Sequence, residues 1–259
     1  MFPPVKVIAV ELTHPMTDIE NLSPYTGILA LVRLHGEPLG FVNVPVDNGR
    51  CSAQVLRDAI VEELSLEAGQ LSLRRHLLAG DPLAQGERSP LFAAPTTLPS
   101  DSLPSVTVAV CTRDRTADLA QCLAALDNLT YPNLEILVVD NAPSDNGTQA
   151  MVYTNHPNVR YIREPRPGLN WARNRALEAA GGEIIAYTDD DVIVDANWVT
   201  ALVQPFVDDP SVMVVTGLVA PHELETDAQV LFEEYGGFGR GFQRRWCRVD
   251  QTGTHKWLY

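Results

Sequence analysis

Residues 183–194 read EIIAYTDDDVIV, which places three consecutive aspartates between two short apolar runs. Residues 183–189 have the length and composition of a buried strand, so the triplet Asp189–Asp191 falls where that strand ends. Three adjacent carboxylates repel one another, and their placement at the end of a buried strand needs a physical reason. In open α/β sheets, ligands bind at the carboxyl ends of the strands. The triplet therefore predicts a binding site.

The chain around the triplet alternates between strand and helix patterns. Valine-rich apolar runs are typical of parallel strands covered on both faces, and apolar residues spaced by three and four are typical of helices. Alternation of this kind predicts an α/β fold with a doubly wound, mostly parallel sheet. The predicted strands are 106–112, 134–141, 159–164, 183–189 and 212–220, and the predicted helices are 116–129, 147–153, 169–180 and 197–207.

A small α+β module precedes this pattern. It has a predicted strand at 5–12, two further strands that turn at His35–Glu37, and a helix at 52–69 with Ser52 as its candidate cap. Five prolines without apolar periodicity then indicate a linker. The predicted organisation is a module at 1–78, a linker at 79–104 and a large domain at 105–259.

The overall charge argues against a nucleic-acid surface. The formal net charge is −14, with 33 acidic and 19 basic residues, whereas nucleic-acid binding needs a basic face. No apolar run approaches the roughly 18 residues that a membrane helix requires. We therefore expect no nucleic-acid partner and no transmembrane segment. The expected location is the cytoplasm, with attachment to the inner face of the membrane as the alternative.

Polar residues follow each of the first four predicted strands. A helix cap or a turn explains a single cluster, since Asp, Asn, Ser and Thr favour both. Several clusters at one edge of the same sheet favour a ligand site instead. The clusters are Thr112–Arg115, Asp140–Asn141 with Ser144 and Asp145, Arg163–Glu164 with Gly168, and Asp189–Asp191.

The triplet suits a divalent cation. Carboxylate oxygens are hard ligands for Mg²⁺ or Mn²⁺, and Mg²⁺ commonly binds one or two protein carboxylates together with substrate phosphates. Asp189 and Asp191 point the same way if the chain is still extended. Asp190 then faces away, toward either a ribose hydroxyl or a neighbouring loop. The sequence predicts a metal site at Asp189 and Asp191.

An arginine interrupts the apolar stripe of the helix at 169–180. Arg173 falls on the stripe that Leu169, Ala172 and Ala176 define, and an arginine that faces a core is costly unless it is paired. The strand-end aspartates are its nearest plausible partners. The alternative is that its stem packs while its guanidinium reaches water, and the sequence does not separate the two.

Four segments together resemble the family 2 glycosyltransferases with the A-type nucleotide-sugar fold. They are VTVAVCTRDRTADLAQCLAAL, LEILVVDNAPSD, PGLNWARNRALEAAGGEIIAYTDDD and VTGLVAP, and the resemblance covers about Ser105 to Tyr259. It implies a metal-dependent, inverting transfer of a sugar from a nucleoside diphosphate to a carbohydrate, a lipid or another hydroxyl acceptor. A sugar-1-phosphate nucleotidyltransferase fits less well, because CTRDRTAD lacks a glycine-rich basic loop.

The resemblance also implies roles for particular residues. Thr112, Arg113 and Asp114 would line the base pocket, and Asp140 would contact the uracil or the ribose. Arg173 and Asn174 would lie near the diphosphate. The Asp-x-Asp motif would consist of Asp189 and Asp191, with Asp191 as the metal ligand and Mn²⁺ or Mg²⁺ as the cofactor.

The general base is the missing part of this pattern. Inversion needs a group, usually a carboxylate, that takes the proton from the acceptor hydroxyl. In the family this residue follows the fifth strand, often in a Glu-Asp pair, and no such pair follows Asp191 here. Only Glu223, Glu225 and Asp227 are candidates. We therefore expect a truncated chain that lacks most of the acceptor half and transfers sugar poorly. A non-catalytic nucleotide-sugar-binding protein is the alternative hypothesis.

Overall fold

The computed structural model describes residues 2–79, 103–243, 245–249 and 255–258. The chain divides into two compact units, one formed by 1–96 with 218–259 and the other by 97–217. No helix in the described ranges is long and apolar enough to cross a membrane. The predicted linker lies almost wholly outside the described residues.

The first unit contains the predicted α+β module. Strands β1 and β2 are parallel, and β2 and β3 form an antiparallel hairpin. The hairpin turns at His35 and Gly36, which both have positive φ angles, 54° and 78°, as a tight two-residue turn requires. The strands are β1 (Val5–Glu11), β2 (Gly27–Leu34) and β3 (Glu37–Pro45).

Helix α1 (Ala53–Ala79) covers this sheet. Its apolar face buries Leu56, Ile60 and Leu64. Ser52 caps the helix, because its Oγ accepts a hydrogen bond from the Val55 N–H at 3.2 Å. The helix continues ten residues beyond the predicted end at 69, through Gly69.

The last forty or so residues join the first unit, whereas the sequence places all of 105–259 in one domain. The reason for this grouping is a set of hydrogen bonds between residues that lie far apart in the sequence. The Val5 N–H donates to the Leu224 carbonyl at 3.0 Å, and the Phe2 N–H donates to Asp227 Oδ1 at 2.6 Å. The elements of this segment are helix α6 (Asp227–Tyr235) and the hairpin of β8 (Trp246–Val249) and β9 (His255–Leu258).

The second unit is a four-stranded, fully parallel sheet with the order β6-β5-β4-β7. Helices pack on both of its faces, so the doubly wound α/β prediction is confirmed. The strands are β4 (Val106–Thr112), β5 (Leu134–Asn141), β6 (Arg160–Glu164) and β7 (Ile184–Asp189), and the helices are α2 (Thr116–Leu126), α3 (Gly147–Asn155), α4 (Leu169–Ala179) and α5 (Trp198–Asp208).

Strand β4 is central, and its side chains alternate between two cores. Val106, Val108 and Val110 face the larger core, which α2, α3 and α5 cover. Ala109 faces the smaller core, where it meets Ala176 and other small residues of α4. Small side chains on this face let α4 lie close to the sheet, over β5 and β4.

The predicted fifth strand is wrong. Residues 212–220 form no strand, and β7 is therefore an edge strand of the sheet. Met213 and Val214 are 84% and 79% exposed. Apolar and β-branched composition makes a segment suitable for a sheet, but a strand also needs a partner that supplies ladder hydrogen bonds.

Gly182 lies against the backbone where β4 begins. Its N–H donates to Thr107 Oγ1 at 2.9 Å. A Cβ at this position would lie 2.6 Å from the Thr107 nitrogen and 2.8 Å from the Val106 carbonyl carbon. The adjacent Gly181 has more room, because its nearest neighbour would be Glu135 Oε2 at 3.4 Å.

We expect Gly182→Ala to lower the free energy of unfolding by about 2–3 kcal/mol, because the new methyl group overlaps backbone atoms that the sheet holds in place. Urea denaturation followed by circular dichroism measures the change. Gly181→Ala is the matched control and should cost less than about 1 kcal/mol. Equal losses in the two variants would contradict the close approach at Gly182.

Candidate functional site

All four predicted strand-end clusters lie at one edge of the sheet, since Arg163 of β6 also pairs with Asp140 of β5. In the parallel register, Thr112 of β4 pairs with Asp140 of β5, and Cys111 of β4 pairs with Asp189 of β7. The carboxyl ends of these adjacent strands therefore bring Thr112, Asp140 and the aspartate triplet to the same edge.

Asp190 is the buried member of the triplet, with 4% of its surface exposed. Thr112 Oγ1 donates to its Oδ2 at 2.7 Å, and Arg115 Nη1 donates to its Oδ1 at 2.9 Å. Burial raises the pKa of Asp190, while the hydrogen bond from Thr112 and the charge of Arg115 lower it. The sequence allows either a ribose hydroxyl or a neighbouring loop as the partner of Asp190. In the structure, Asp190 contacts Thr112 at the end of β4 and Arg115 in the loop that follows. Its carboxylate joins the end of β7 to the end of β4.

Asp189 and Asp191 are the exposed members of the triplet, but the extended chain that was expected to align them ends at Asp189, because residues 190 and 191 form a turn. Their side chains are 67% and 51% exposed. Arg173 Nη2 lies 3.7 Å from Asp189 Oδ1, which confirms a strand-end aspartate as the partner of Arg173. The guanidinium of Arg173 is also half exposed. Asn174 is exposed beside it on α4.

The sequence analysis includes Arg115 in the first strand-end cluster but gives it no individual role at this site. Its guanidinium contacts three carboxylates: Asp118 through Nε at 3.0 Å, Asp190 through Nη1 at 2.9 Å and Asp191 through Nη2 at 3.0 Å. Hydrogen bonding to Asp191 raises the pKa of Arg115. The available signal was an arginine three residues after the end of β4, opposite a run of carboxylates that needed a counter-charge.

The exposed pair has the donor chemistry of a Mg²⁺ or Mn²⁺ site. Two exposed carboxylates lie at one strand end, Asp189 beside Arg173 and Asp191 beside Arg115. Among the residues that the structure describes, no group of three or more His, Cys, Asp or Glu side chains is placed to hold a metal ion. Asp189 and Asp191 thus fit a cation that takes its remaining ligands from water or from substrate phosphates.

Asp140 is fully buried at the end of β5. Its Oδ2 accepts a hydrogen bond from the Tyr161 hydroxyl at 2.5 Å. Its Oδ1 is buried and has no hydrogen-bond partner in the described part of the chain. Burial raises the pKa of Asp140, and the Tyr161 hydrogen bond opposes that increase. Tyr161 carried no signal in the sequence, since it looks like an ordinary strand residue.

Asp114 and Arg113 follow β4 on the exposed loop. Asp114 has a positive φ of 53°, and its Oδ1 accepts hydrogen bonds from the Ser144 N–H at 2.8 Å and the Ser144 hydroxyl at 2.9 Å. These bonds lower the pKa of Asp114 and tie the loop after β4 to the loop after β5. Arg113 is exposed and lies 3.8 Å from Asp114 Oδ2.

The loop between β6 and α4 is held by buried polar groups. Asn141 Oδ1 accepts a hydrogen bond from the Gly168 N–H at 2.8 Å. The buried Glu164 carboxylate accepts hydrogen bonds from the Arg166 side chain at 2.7 and 2.9 Å, which lowers the pKa of Glu164 to about 2. The Arg166 guanidinium stacks 3.9 Å over the ring of Trp171. These contacts fix the position from which α4 starts.

The three candidate bases belong to the first unit. Each carboxylate accepts a hydrogen bond within that unit: Glu223 from Gln229 at 2.7 Å, Glu225 from the Tyr25 hydroxyl, and Asp227 from the Phe2 N–H at 2.6 Å. The bonds to Glu225 and Asp227 attach the segment around α6 to the N-terminal module, and the bond to Glu223 lies within the segment. A catalytic role for any of the three stays a prediction.

The model of glycosyl transferase family 2 matches residues 107–257, and the chain belongs to this family. The recognised resemblance is confirmed. The parallel sheet and its order agree with the A-type fold expected of the family.

The chain is also similar to named relatives. The uncharacterized glycosyltransferase YibD of Escherichia coli is 31% identical over 95 residues, which is 36% of this chain and 28% of that protein. Glucosyl-dolichyl phosphate glucuronosyltransferase of Haloferax volcanii is 25% identical over 161 residues, 57% of this chain and 50% of that protein. The chain thus spans half or less of the length of these two relatives.

Among solved structures, the mannosyltransferase PcManGT from Pyrobaculum calidifontis in complex with GDP-Man and Mn²⁺ is similar to this chain. The sequence identity is 25% and the TM-score is 0.40. The match covers 56% of this chain and 41% of the mannosyltransferase.

We expect Asp190→Ala to lower the free energy of unfolding by about 2 kcal/mol, because the buried Thr112 hydroxyl then loses its acceptor. Asp189→Ala removes an exposed carboxylate from the same triplet and should change the free energy by less than about 0.5 kcal/mol. Urea denaturation of the two variants beside the wild type measures both. An Asp190→Ala protein as stable as Asp189→Ala would contradict an anchoring role for Asp190.

Proposed function

We propose that this chain is a metal-dependent, inverting glycosyltransferase that binds a nucleoside-diphosphate sugar at the edge formed by β4, β5 and β7. One observation carries the proposal. The buried Asp190 is held by Thr112 and Arg115, and Asp189 and Asp191 on either side of it are exposed at the same strand end. Membership of glycosyl transferase family 2 supports the reaction class.

Asp191 and Asp189 are the residues that would hold Mn²⁺ or Mg²⁺. When bound, the cation would neutralise negative charge on the departing nucleoside diphosphate. The donor set supports this assignment, because two exposed carboxylates at one strand end offer hard oxygen ligands, and Mg²⁺ commonly takes phosphate oxygens as its other ligands.

The residues of the chain bind and orient the donor. Arg173 and Arg115 place two guanidinium groups beside the exposed carboxylates, and guanidinium groups form paired hydrogen bonds with phosphate oxygens. Asn174 lies next to Arg173 on α4 and offers an amide to the same group. Arg115 is fixed by three carboxylates before the donor sugar arrives, which reduces the entropy that binding must overcome.

The nucleoside would lie over the loops that follow β4 and β5. Asp114 and Ser144 fix these loops relative to each other, and Arg113 extends from the first of them. Thr112 contributes indirectly in this account, because its hydroxyl is directed at Asp190. Asp140 supplies a carboxylate oxygen with no internal partner at the floor of this region.

A second candidate function is binding of a nucleotide-sugar without turnover. The observation in its favour is that Glu223, Glu225 and Asp227 all accept hydrogen bonds inside the first unit. A carboxylate used in this way is less available to take a proton from an acceptor.

The acceptor in the first proposal is a hydroxyl compound, either a carbohydrate or a lipid.

We expect UDP, GDP or dTDP to bind with an affinity that depends on Mn²⁺, as measured by calorimetry with and without the metal. Asp191→Ala should weaken this binding by more than about tenfold, because the cation loses a carboxylate ligand. Asp208→Ala is the matched control, since Asp208 is an exposed aspartate at the end of α5 in the same unit.

Two results would contradict the proposal. One is a folded wild-type protein that binds none of the three nucleotides in the presence of Mn²⁺. The other is an equal affinity of wild type and Asp191→Ala. Assaying the same protein for transfer from a sugar nucleotide to simple hydroxyl acceptors then separates an active enzyme from the binding protein.

A further inference from the structure

The buried carboxylate of Asp140 has only one of its two oxygens satisfied. Oδ2 accepts the Tyr161 hydroxyl at 2.5 Å, whereas Oδ1 has no partner within the described residues. An unsatisfied buried acceptor costs free energy, and such groups are rare in folded proteins. An N–H group from a ligand would remove this cost. Because Oδ1 is covered, a ligand reaches it only when the side chains above it shift.

Tyr161 and Arg163 form a directed chain of hydrogen bonds to Asp140. Arg163 Nε donates to the Tyr161 hydroxyl oxygen at 3.0 Å. A guanidinium can only donate, so the phenolic hydrogen is left to point at Asp140 Oδ2. The chain of contacts therefore runs from guanidinium to phenol to carboxylate. It fixes the orientation of Asp140 and favours its ionised form.

Arg163 is itself held in place. It lies opposite Asp140 in the register of β5 and β6, yet its Nη2 donates to Asn146 Oδ1 at 2.8 Å and to Gln149 Oε1 at 3.2 Å. These two acceptors belong to the start of α3. Arg163 thus reaches Asp140 through Tyr161, and Oδ1 is left without a cation.

We propose that Tyr161 and Arg163 are positioning residues that hold Asp140 as a fixed, anionic acceptor for an N–H group of the donor's nucleobase. The proposal rests on the proposed function, because it assumes that a nucleoside diphosphate binds at this edge of the sheet. Neither residue needs to touch the nucleotide. Their effect passes through the Asp140 carboxylate.

Because the Asp140 carboxylate accepts a hydrogen bond, it selects nucleobases that present an N–H group. Uracil and thymine present N3–H, and guanine presents N1–H, so each offers a donor to a carboxylate oxygen. Cytosine N3 and adenine N1 carry a lone pair at the matching position and would face the anion with no hydrogen. A site built around a buried hydrogen bond rejects analogues that lack the group, because its own polar atom is then left unpaired.

The pH dependence follows from the groups that face Asp140. Burial raises its pKa, the Tyr161 hydrogen bond and the charge of Arg163 lower it, and the charges of Asp114 and Asp145 raise it. A ligand N–H binds the ionised carboxylate, so affinity is present above the pKa of Asp140 and is lost as pH falls through it. Without the Tyr161 hydroxyl the pKa moves up, and the affinity is lost at a higher pH.

The test compares Tyr161→Phe with the wild type in calorimetric titrations of UDP and CDP, each with Mn²⁺ and over the acid side of neutrality. The wild type should prefer UDP. Tyr161→Phe should weaken UDP binding by roughly tenfold and CDP binding much less, and the midpoint of the acid loss of UDP affinity should move to higher pH. Because the same diphosphate is used throughout, its own titration cancels between the two proteins.

Tyr131→Phe is the matched control. It removes one hydroxyl that donates to the Pro104 carbonyl at 2.6 Å, and it should leave the UDP to CDP ratio and the pH midpoint unchanged. Arg163→Gln is a second variant, and we expect it to fold because the side chain of Arg163 is exposed. It provides the test if Tyr161→Phe does not fold. It should shift both readouts in the same direction as Tyr161→Phe, by a smaller amount.

Equal weakening of UDP and CDP with an unmoved pH midpoint would overturn the proposal, since a purely structural role produces that result. A variant indistinguishable from wild type would overturn it as well. A folded wild type that binds neither nucleotide has a different meaning. It contradicts the proposed function itself and removes the ligand on which the positioning role depends.

Discussion

The contact of the buried Asp190 carboxylate with Thr112 and Arg115 is the constraint on which the candidate site depends. It joins the carboxyl ends of β7 and β4, which are adjacent in the sheet. Asp190 is turned inward, whereas Asp189 at the last position of β7 and Asp191 in the turn that follows are exposed. Arg115 also reaches Asp191, so a single guanidinium balances charge on both sides of the turn. The repulsion among three adjacent carboxylates is thereby offset without a bound cation.

Asp140 and Asp190 are both buried aspartates at neighbouring strand ends, yet they are satisfied differently. Both oxygens of Asp190 accept hydrogen bonds from protein side chains, as expected of a group that stabilises the fold. Asp140 has one bond, from Tyr161, and one unpaired oxygen. An unsatisfied buried acceptor is a cost that a fold tolerates where a ligand later removes it. The contrast separates an aspartate that builds the site from one that we infer to contact the nucleotide.

The sequence predicted the strands and helices of the sheet because their apolar periodicity is strong and local. It failed at 212–220, where the composition suits a strand but the described residues form no ladder. It identified Asp189 and Asp191 as the outer aspartates of the triplet, but the chain turns at residues 190 and 191 instead of staying extended. It gave Arg115 no individual role and missed Tyr161, because their roles depend on side chains far away in sequence. The grouping of 218–259 with the N-terminal module was unpredictable for the same reason.

The central claim is that the outer two carboxylates of the triplet bind a metal together with a nucleotide diphosphate. The most direct measurement is an anomalous difference map at the manganese absorption edge, from crystals of the chain grown with UDP and Mn²⁺. Our account predicts one strong peak about 2 Å from carboxylate oxygens of Asp191 or Asp189, and also bonded to the diphosphate. A peak bound to UDP but away from the triplet, or ordered UDP with no metal peak, would contradict it.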